Sequence, residues 1–148
     1  MRLPGRRLAR DRRGTALIET ALTLPLMLLV SVGIFEFGRA YQTWQVLTNA
    51  AREGARIAVL PGTGDGDIST RIKTYLTDGQ IERPGQALVS IDRIQAISIG
   101  SGTASASRVT VTYPYEFIVL QPIATLVNPG ATVGQPLTMT ASALMRNE

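Results

Sequence analysis

The stretch Arg12-Arg13-Gly14-Thr15-Ala16-Leu17-Ile18-Glu19, with the apolar run that continues to Phe35, decides the fold. Of the 21 positions in residues 15–35, 14 are aliphatic, aromatic or Met, and Glu19 carries the only charge. At a rise of ~1.5 Å per residue, such a helix measures roughly 31 Å, about the thickness of the hydrocarbon core of a bilayer. The pattern therefore predicts a transmembrane helix over residues 15–35.

A strongly basic arm precedes this run. Residues 1–13 contain six arginines and one acidic residue and carry a net charge of +5, whereas the whole chain carries +4. The remainder is therefore slightly acidic, and we expect no nucleic-acid partner. An arginine cluster beside a membrane helix indicates its cytoplasmic side, close to anionic head groups. We predict a basic cytoplasmic leader over residues 1–14 and an extracytoplasmic location for everything after Phe35.

The composition excludes several classes of chemistry. The chain has neither Cys nor His, which removes disulfide staples, Ser-His-Asp and Cys-His catalysis and most zinc sites. Residues 65–69 resemble the start of a calcium loop, but Thr70 and Leu76 occupy the positions that require Gly and Glu. We expect no catalytic residues, no metal and no cofactor, and hence a protein that is not an enzyme.

The helix is predicted to continue beyond the membrane. No proline interrupts residues 36–60, and apolar residues recur there at steps of three, four and seven, which indicates one face of an amphipathic helix. We assign to that face Phe37, Tyr41, Trp44, Ala51, Ala55 and Ala58. Tyr41 and Trp44 lie where an aromatic belt is expected. Pro25, inside the apolar run, is expected to kink the helix.

A stripe of small residues, Ala50, Gly54 and Ala58, recurs every four positions. Such a stripe allows another backbone to approach closely. Two interpretations stay open: the stripe packs against a helix of another protein, or it packs under the sheet of this chain.

Residues 61–148 are predicted to form an extracytoplasmic head. Pro61-Gly62 ends the long helix, and Asp67 is expected to cap a short helix over residues 68–77. Three segments then predict strands, the first because it is rich in Val and Ile and the other two because they alternate with a period of two. We expect a bulge near Asp92, where the alternation slips, and a helical turn in the last connection. The segments are 87–99, 108–120 and 136–145, and the last connection holds 122–127. The expected fold is α+β: a long N-terminal helix, membrane-embedded in its first half and amphipathic in its outer half, packed on a small head with one short helix and a three-stranded antiparallel sheet.

Gly14 and Glu19 suggest processing at the membrane border. Gly14 supplies an extended, unhindered peptide that a membrane protease can reach. Cleavage after it leaves Thr15 with a free ammonium, and Glu19 lies one turn along on the same face, or on a neighbouring subunit, to pair with it. An unpaired Glu costs about 2.5–3.5 kcal/mol at the bilayer centre, and a buried ion pair specifies the register of packed helices more than it stabilises them. The alternative is an ordinary signal-anchor whose Glu19 reaches the head groups.

The junction Gly14-Thr-Ala-Leu-Ile-Glu19 resembles the class III leader junction of type IV pilin-like proteins. The wider run, with Pro25, residues 36–40 and residues 48–56, resembles the TadE-like family of minor pilins or pseudopilins of tight-adherence (Tad, or Flp) pilus systems. The resemblance covers residues 13–60 and, more weakly, the C-terminal run 137–146. Thr20 stands where pseudopilins of this group often have an aromatic residue.

The resemblance implies a role and a set of partners. A prepilin peptidase would cut between Gly14 and Thr15, and the product would be a structural subunit in the cytoplasmic membrane or a surface pilus. Its partners would be that peptidase, other pilin-like subunits, Tad inner-membrane assembly proteins and membrane lipid.

Two alternatives remain: an uncleaved, membrane-anchored binding module, and a soluble protein released by signal peptidase near residues 31–33. The mature N-terminus would be Thr15, Met1 or near Ile34, respectively.

Overall fold

The computed structural model describes residues 12–147, with side chains from Gly14 onward. Residues 1–11 of the predicted leader lie outside this range. The elements are α1 (Arg12–Ala58), α2 (Asp65–Asp78), a 3-10 turn (Pro84–Gln86), β1 (Leu88–Ile99), β2 (Gly102–Tyr115), α3 (Leu120–Val127) and β3 (Leu137–Arg146). The chain forms two compact units, one ending at Phe35 and the other beginning at Glu36, and α1 contributes to both. The predicted α+β fold, with its long N-terminal helix and antiparallel three-stranded sheet, is confirmed.

The sheet has the order β1-β2-β3, with both neighbouring pairs antiparallel. Its central strand pairs Val111 with Val89 of β1 and with Ala141 of β3. The expected bulge in β1 is confirmed, because the register shifts between Asp92 and Gln95. One face of the sheet is buried, and its members are Val109, Val111, Tyr113, Tyr115, Met139 and Ala141.

The central strand β2 is displaced from its predicted bounds. It begins at Gly102 and ends at Tyr115, whereas the alternation predicted residues 108–120. The Gly/Ser/Thr run before residue 108 has weak strand propensity, but pairing with β1 recruits it into a hairpin. Pro114 lies beyond Thr112, the last β2 residue paired with β1, so its missing N–H leaves no gap in that ladder.

The buried face of α1 differs from the predicted one. Phe37, Tyr41 and Trp44 are exposed at 64%, 61% and 44%, although we assigned them to the face that Ala51, Ala55 and Ala58 share. Other residues are buried in their place, namely Glu36, Thr43, Leu47 and Ala50, with Ala51, Ala55 and Ala58 as predicted. Successive residues are about 100° apart around a helix. The row of residues that starts at Glu36 therefore faces a different direction from the row that starts at Phe37, and it is the Glu36 row that is covered.

The short helix α2 begins earlier than predicted. Its N-cap is Gly64, and Asp67 lies inside the first turn, where its carboxylate accepts the N–H of Gly64 at 3.2 Å. The prediction that Asp67 is the cap residue is therefore wrong, because the carboxylate reaches back from the third helical position, as in a capping box. The spacing of apolar residues in this helix predicts Ile68, Ile72, Tyr75 and Leu76 on its inner face; Ile68, Ile72 and Leu76 are buried, and Tyr75 is partly buried.

The bulge in β1 helps to end α1. Arg93 donates to the carbonyl of Ala58 at 3.3 Å and to that of Thr63 at 2.7 Å, and it binds the Asp65 carboxylate. A cation at the last carbonyls of a helix satisfies unpaired acceptors and complements the helix dipole. The long helix accordingly ends at Ala58, slightly before the predicted residue 60.

The connection between β2 and β3 contains more helix than expected. Where the sequence predicted only a helical turn over residues 122–127, the structure has α3, which begins at Leu120. The head therefore contains two short α-helices, one more than predicted, beside the 3-10 turn.

Candidate functional site

The predicted cleavage position lies within a helix. Gly14 and Thr15 both lie within α1, so the peptide bond between them is helical and the expectation of an extended peptide there is wrong. The Ala, Leu and Ile residues that follow favour helix and no proline precedes them closely, so the helix extends back through Gly14. Glycine nevertheless costs a helix about 1 kcal/mol relative to Ala, so Gly14 weakens the helix at this position.

Glu19 is exposed on the membrane helix. It lies four residues after Thr15 and therefore on the same face. The hydroxyls nearby bond to the backbone, since Thr20 donates to the Ala16 carbonyl and Thr23 to the Glu19 carbonyl, each at 2.9 Å. Among the side chains described from Gly14 onward, the Glu19 carboxylate has no ion-pair partner.

The helix continues through Pro25 without a break. Proline removes one backbone hydrogen bond and clashes with the preceding turn. The predicted kink at this position stays a prediction.

The apolar side chains of residues 14–35 are largely exposed among the described residues. Large side chains in this segment are exposed over more than half of their surface, among them Leu17, Ile18, Leu22, Leu26, Met27 and Ile34. Within residues 12–147, α1 is the one helix long and apolar enough to cross a membrane. A contiguous apolar surface of this kind indicates contact with lipid or with other apolar helices.

A second carboxylate, Glu36, begins the second unit and is fully buried, with 0% of its surface exposed. Its Oε1 accepts the backbone N–H of Val119 at 2.6 Å. Val119 is the N-cap residue of α3, so the Glu36 carboxylate faces the positive end of that helix dipole. The Glu36 backbone carbonyl accepts the Tyr115 hydroxyl at 3.3 Å. One residue of α1 thereby holds both the end of β2 and the start of α3.

Arg39, one turn after Glu36, connects this carboxylate to the rest of the head. Its Nη2 lies 3.9 Å from Glu36 Oε2 and donates to the Glu116 carbonyl at 2.6 Å, while Nη1 lies 3.4 Å from Glu82 Oε1. Its guanidinium also lies 4.8 Å from the centre of the Tyr115 ring, a cation–π distance. Of the buried atoms in the described range, Glu36 Oε2 and Arg39 Nε lack a hydrogen-bond partner. We refer to Glu36, Arg39, Glu82, Tyr113, Tyr115 and Glu116 as the Glu36 cluster.

The two tyrosines of the Glu36 cluster have raised pKa values, which favours their neutral form. Burial raises the pKa of Tyr113, and the nearby Glu82 raises it further. Burial also raises the pKa of Tyr115, although Arg39 opposes the shift. Tyr113 donates its hydroxyl to the Glu82 carbonyl. The cluster borders a cleft of about 230 Å³ that is lined largely by polar side chains.

The small stripe packs within this chain. Ala50 and Ala58 are buried. A Cβ added to Gly54 would lie 2.6 Å from Ile72 Cδ1 of α2 and 3.1 Å from Val109 Cγ1 of β2. Of the two interpretations left open, the structure shows the one in which the head of this chain covers the stripe.

Sequence reasoning singled out Glu19 but did not identify the role of Glu36. Glu36 and Arg39 entered only within residues 36–40 of the resemblance, and Glu82 and Glu116 belong to no motif of the sequence. A signal did exist: Glu36 directly follows an apolar run and stands three residues before an arginine. Its partners at Tyr115 and Val119 lie 79 and 83 positions away in sequence, so no local pattern identified them. Within residues 12–147, no group of three or more acidic, His or Cys residues is arranged to hold a metal.

Comparison with known families gives one match. Residues 14–56 match the family model described as TadE-like protein, which confirms the resemblance over that part of the chain. The matched segment contains Gly14, Glu19, Glu36 and the first members of the small stripe. Comparisons with curated proteins and with solved structures gave no significant match.

Proposed function

We propose that this chain, a TadE-like protein over residues 14–56, is a pilin-like structural subunit for assembly of a Tad/Flp-type pilus or a related secretion apparatus. The family match supports the general association with Tad pilus components. The proposal adds that a prepilin peptidase cuts after Gly14 and that the protein is the substrate of this enzyme and has no enzymatic activity itself. Its partners are other pilin-like subunits and Tad inner-membrane assembly proteins.

The observation that carries the proposal is the uncovered apolar surface of residues 14–35 inside the matched segment. Such a helix is stable in lipid or against other apolar helices, and both environments occur during pilus assembly. A membrane anchor is consistent with this helix and with the family match. We place the N-terminal side in the cytoplasm and the head outside, since arginines precede the apolar run.

Glu19 has a specific role in this proposal. After cleavage, the Thr15 ammonium and the Glu19 carboxylate lie on one helical face, and either can pair with the corresponding group of a neighbouring subunit. A charge pair between apolar helices penalises a wrong register, because a shift leaves both charges without partners. Glu19 would therefore set how the helices align during assembly.

The second candidate is an uncleaved, membrane-anchored binding module. It is favoured by one observation, the polar cleft beside the Glu36 cluster in the head. In that case Glu19 would be replaceable and the leader would remain attached.

The mature N-terminus tests these proposals. The full chain is co-expressed with a Tad prepilin peptidase, or with an inactive variant of that peptidase as the control, and its intact mass is measured after purification from membranes. A chain that starts at Thr15 only with the active peptidase supports the proposal. A chain that keeps Met1 in both cases contradicts it in favour of the binding module, and a start near Ile34 indicates release by signal peptidase.

A further inference from the structure

The helix α3 presents an apolar surface that the head does not cover. Leu126 and Val127 are exposed at 86% and 81%. Ile123 and Ile118 are also exposed, whereas Leu120 and Ala124 are partly buried. Because residues three and four apart share a helical face, Ile123, Leu126 and Val127 form one outward face. We call it the α3 face.

The sequence around the α3 face lacks charge. Residues 117–145 contain no Asp, Glu, Lys or Arg, although the rest of the head, residues 36–116 and 146–148, carries many. A surface element in water ordinarily carries charged residues on its exposed side. The absence of charge over this whole segment favours an apolar environment for α3.

The first residue of the second unit, Glu36, holds the start of α3. Glu36 immediately follows Phe35, the last residue of that run, and its carboxylate binds the Val119 N–H at 2.6 Å. The head-group layer on each side of a bilayer is roughly 5–8 Å thick, and one residue of helix advances about 1.5 Å. When residues 15–35 span the membrane, residue 36 follows directly at the head-group layer, and Val119, its hydrogen-bond partner, is held within reach of that layer.

We propose that the α3 face is a membrane-contact surface, with Ile123, Leu126 and Val127 inserted at the boundary between the head groups and the acyl chains of the outer leaflet. This inference rests on the membrane anchor of the proposed function. Insertion depends on apolar burial and not on anionic lipids, because the segment has no Lys or Arg. A single anchoring helix would thus gain a second point of contact that orients the head on the bilayer.

Single-cysteine labelling tests the proposal, since the chain has no native Cys. Leu126→Cys and Val127→Cys each carry an environment-sensitive fluorophore in the full chain, reconstituted into phosphatidylcholine vesicles. Quenching is compared between a nitroxide-labelled phosphatidylcholine and a water-soluble quencher. Leu26→Cys in the predicted span is the control for lipid exposure, and Ser98→Cys at the β1–β2 hairpin is the control for water exposure. Leu26 and Ser98 are both exposed side chains, as are the two test positions, so folding should be retained.

We expect quenching by labelled lipid at residues 126 and 127 to be several times stronger than at residue 98 and to be unchanged by salt. Quenching at residues 126 and 127 by the aqueous reagent alone would overturn the inference. Protection from both quenchers would also overturn it, because a protein partner would then cover the face. If the label at residue 26 is not quenched by lipid, the membrane anchor itself fails; if only the α3 labels fail, the proposed function stands without this contact.

Discussion

Two carboxylates on the same helix have opposite environments. Glu19, in the unit that ends at Phe35, is exposed among apolar side chains, and the described side chains offer it no ion pair. Glu36, which begins the second unit, is fully buried and binds both a backbone N–H and an arginine of its own chain. The contacts of Glu36 tie α1 to the end of β2 and the start of α3, whereas Glu19 makes no such contact among the described side chains. Under the proposed function, Glu19 would act in assembly and Glu36 in folding of the head.

Substitution at the leader junction has the largest expected effect. Gly14→Ile should abolish processing, because a β-branched side chain blocks access to the peptide that a small residue leaves open. Intact-mass measurement after co-expression with the peptidase should show only the unprocessed chain. Gly38→Ile, at a glycine of the same helix with no neighbour within 4 Å of its added Cβ, serves as the control and should be processed. Normal amounts of mature Gly14→Ile protein would contradict the cleavage assignment.

The second-largest effect is expected when the charge of Glu19 is removed. Glu19→Gln should leave membrane insertion intact, because neutralisation lowers the cost of placing this residue in lipid. It should reduce crosslinking to other pilin-like subunits several-fold, since the Thr15 ammonium loses its partner. The matched substitution Glu53→Gln, in the head part of the same helix, should leave crosslinking unchanged. Equal crosslinking of the Glu19 variant and the wild type would refute the assembly role.

The same substitution at Glu36 should instead affect folding. Glu36→Gln should lower the free energy of unfolding by roughly 2–3 kcal/mol, because a buried, hydrogen-bonded charge is lost and Arg39 is left less well paired. Denaturant unfolding in detergent micelles, followed by the fluorescence of the single tryptophan, Trp44, measures the change. Glu53→Gln is the control, since Glu53 pairs with the exposed Arg71 at 3.1 Å, and it should cost less than about 1 kcal/mol. Equal losses of unfolding free energy in Glu36→Gln and Glu53→Gln would contradict the difference drawn between the buried and the surface carboxylate.

The close packing of the small stripe can be tested at a pair of glycines. Gly54→Val should destabilise the head by about 1–3 kcal/mol, because the added atoms overlap with Ile72 and Val109. Gly38→Val, where an added Cβ meets nothing within 4 Å, should change stability by less than about 0.5 kcal/mol. Thermal unfolding of both variants measures the difference. A stable Gly54→Val protein would mean that the stripe is not tightly covered.

The smallest expected effect concerns the tyrosines of the Glu36 cluster. Because the folded state raises the pKa of Tyr113 and Tyr115 above the ordinary value of 10.0, their contribution to stability is complete below about pH 10 and is lost as the pH rises through the folded-state pKa values. The free energy of unfolding should therefore fall above pH 10. Tyr115→Phe should reduce the slope of this fall, whereas Tyr41→Phe, at an exposed tyrosine, should not. An unchanged slope in Tyr115→Phe would exclude this residue as a cause.

The elements that the sequence predicted well depend on local pattern. The apolar run to Phe35, the strand alternation around Val111 and the bulge near Asp92 follow from neighbouring side chains alone. The misplaced features depend on distant contacts. The sequence assigned the aromatic residues Phe37, Tyr41 and Trp44 to the covered face, yet the head covers the adjacent row. In that row, Gly54 allows Ile72 and Val109 to approach α1 closely.

The sequence by itself determined that a long helix with an apolar first part carries a small α+β head. The helix and strand patterns and the length of the apolar run are properties of residues that are close together in the chain, so they can be read without the fold. Only the tertiary structure decided which face of the helix the head covers, that Glu36 is buried, and that α3 is held beside it with an apolar face outward. Those outcomes depend on contacts such as that between Glu36 and Val119, which lie 83 positions apart and meet only when the sheet packs on the helix.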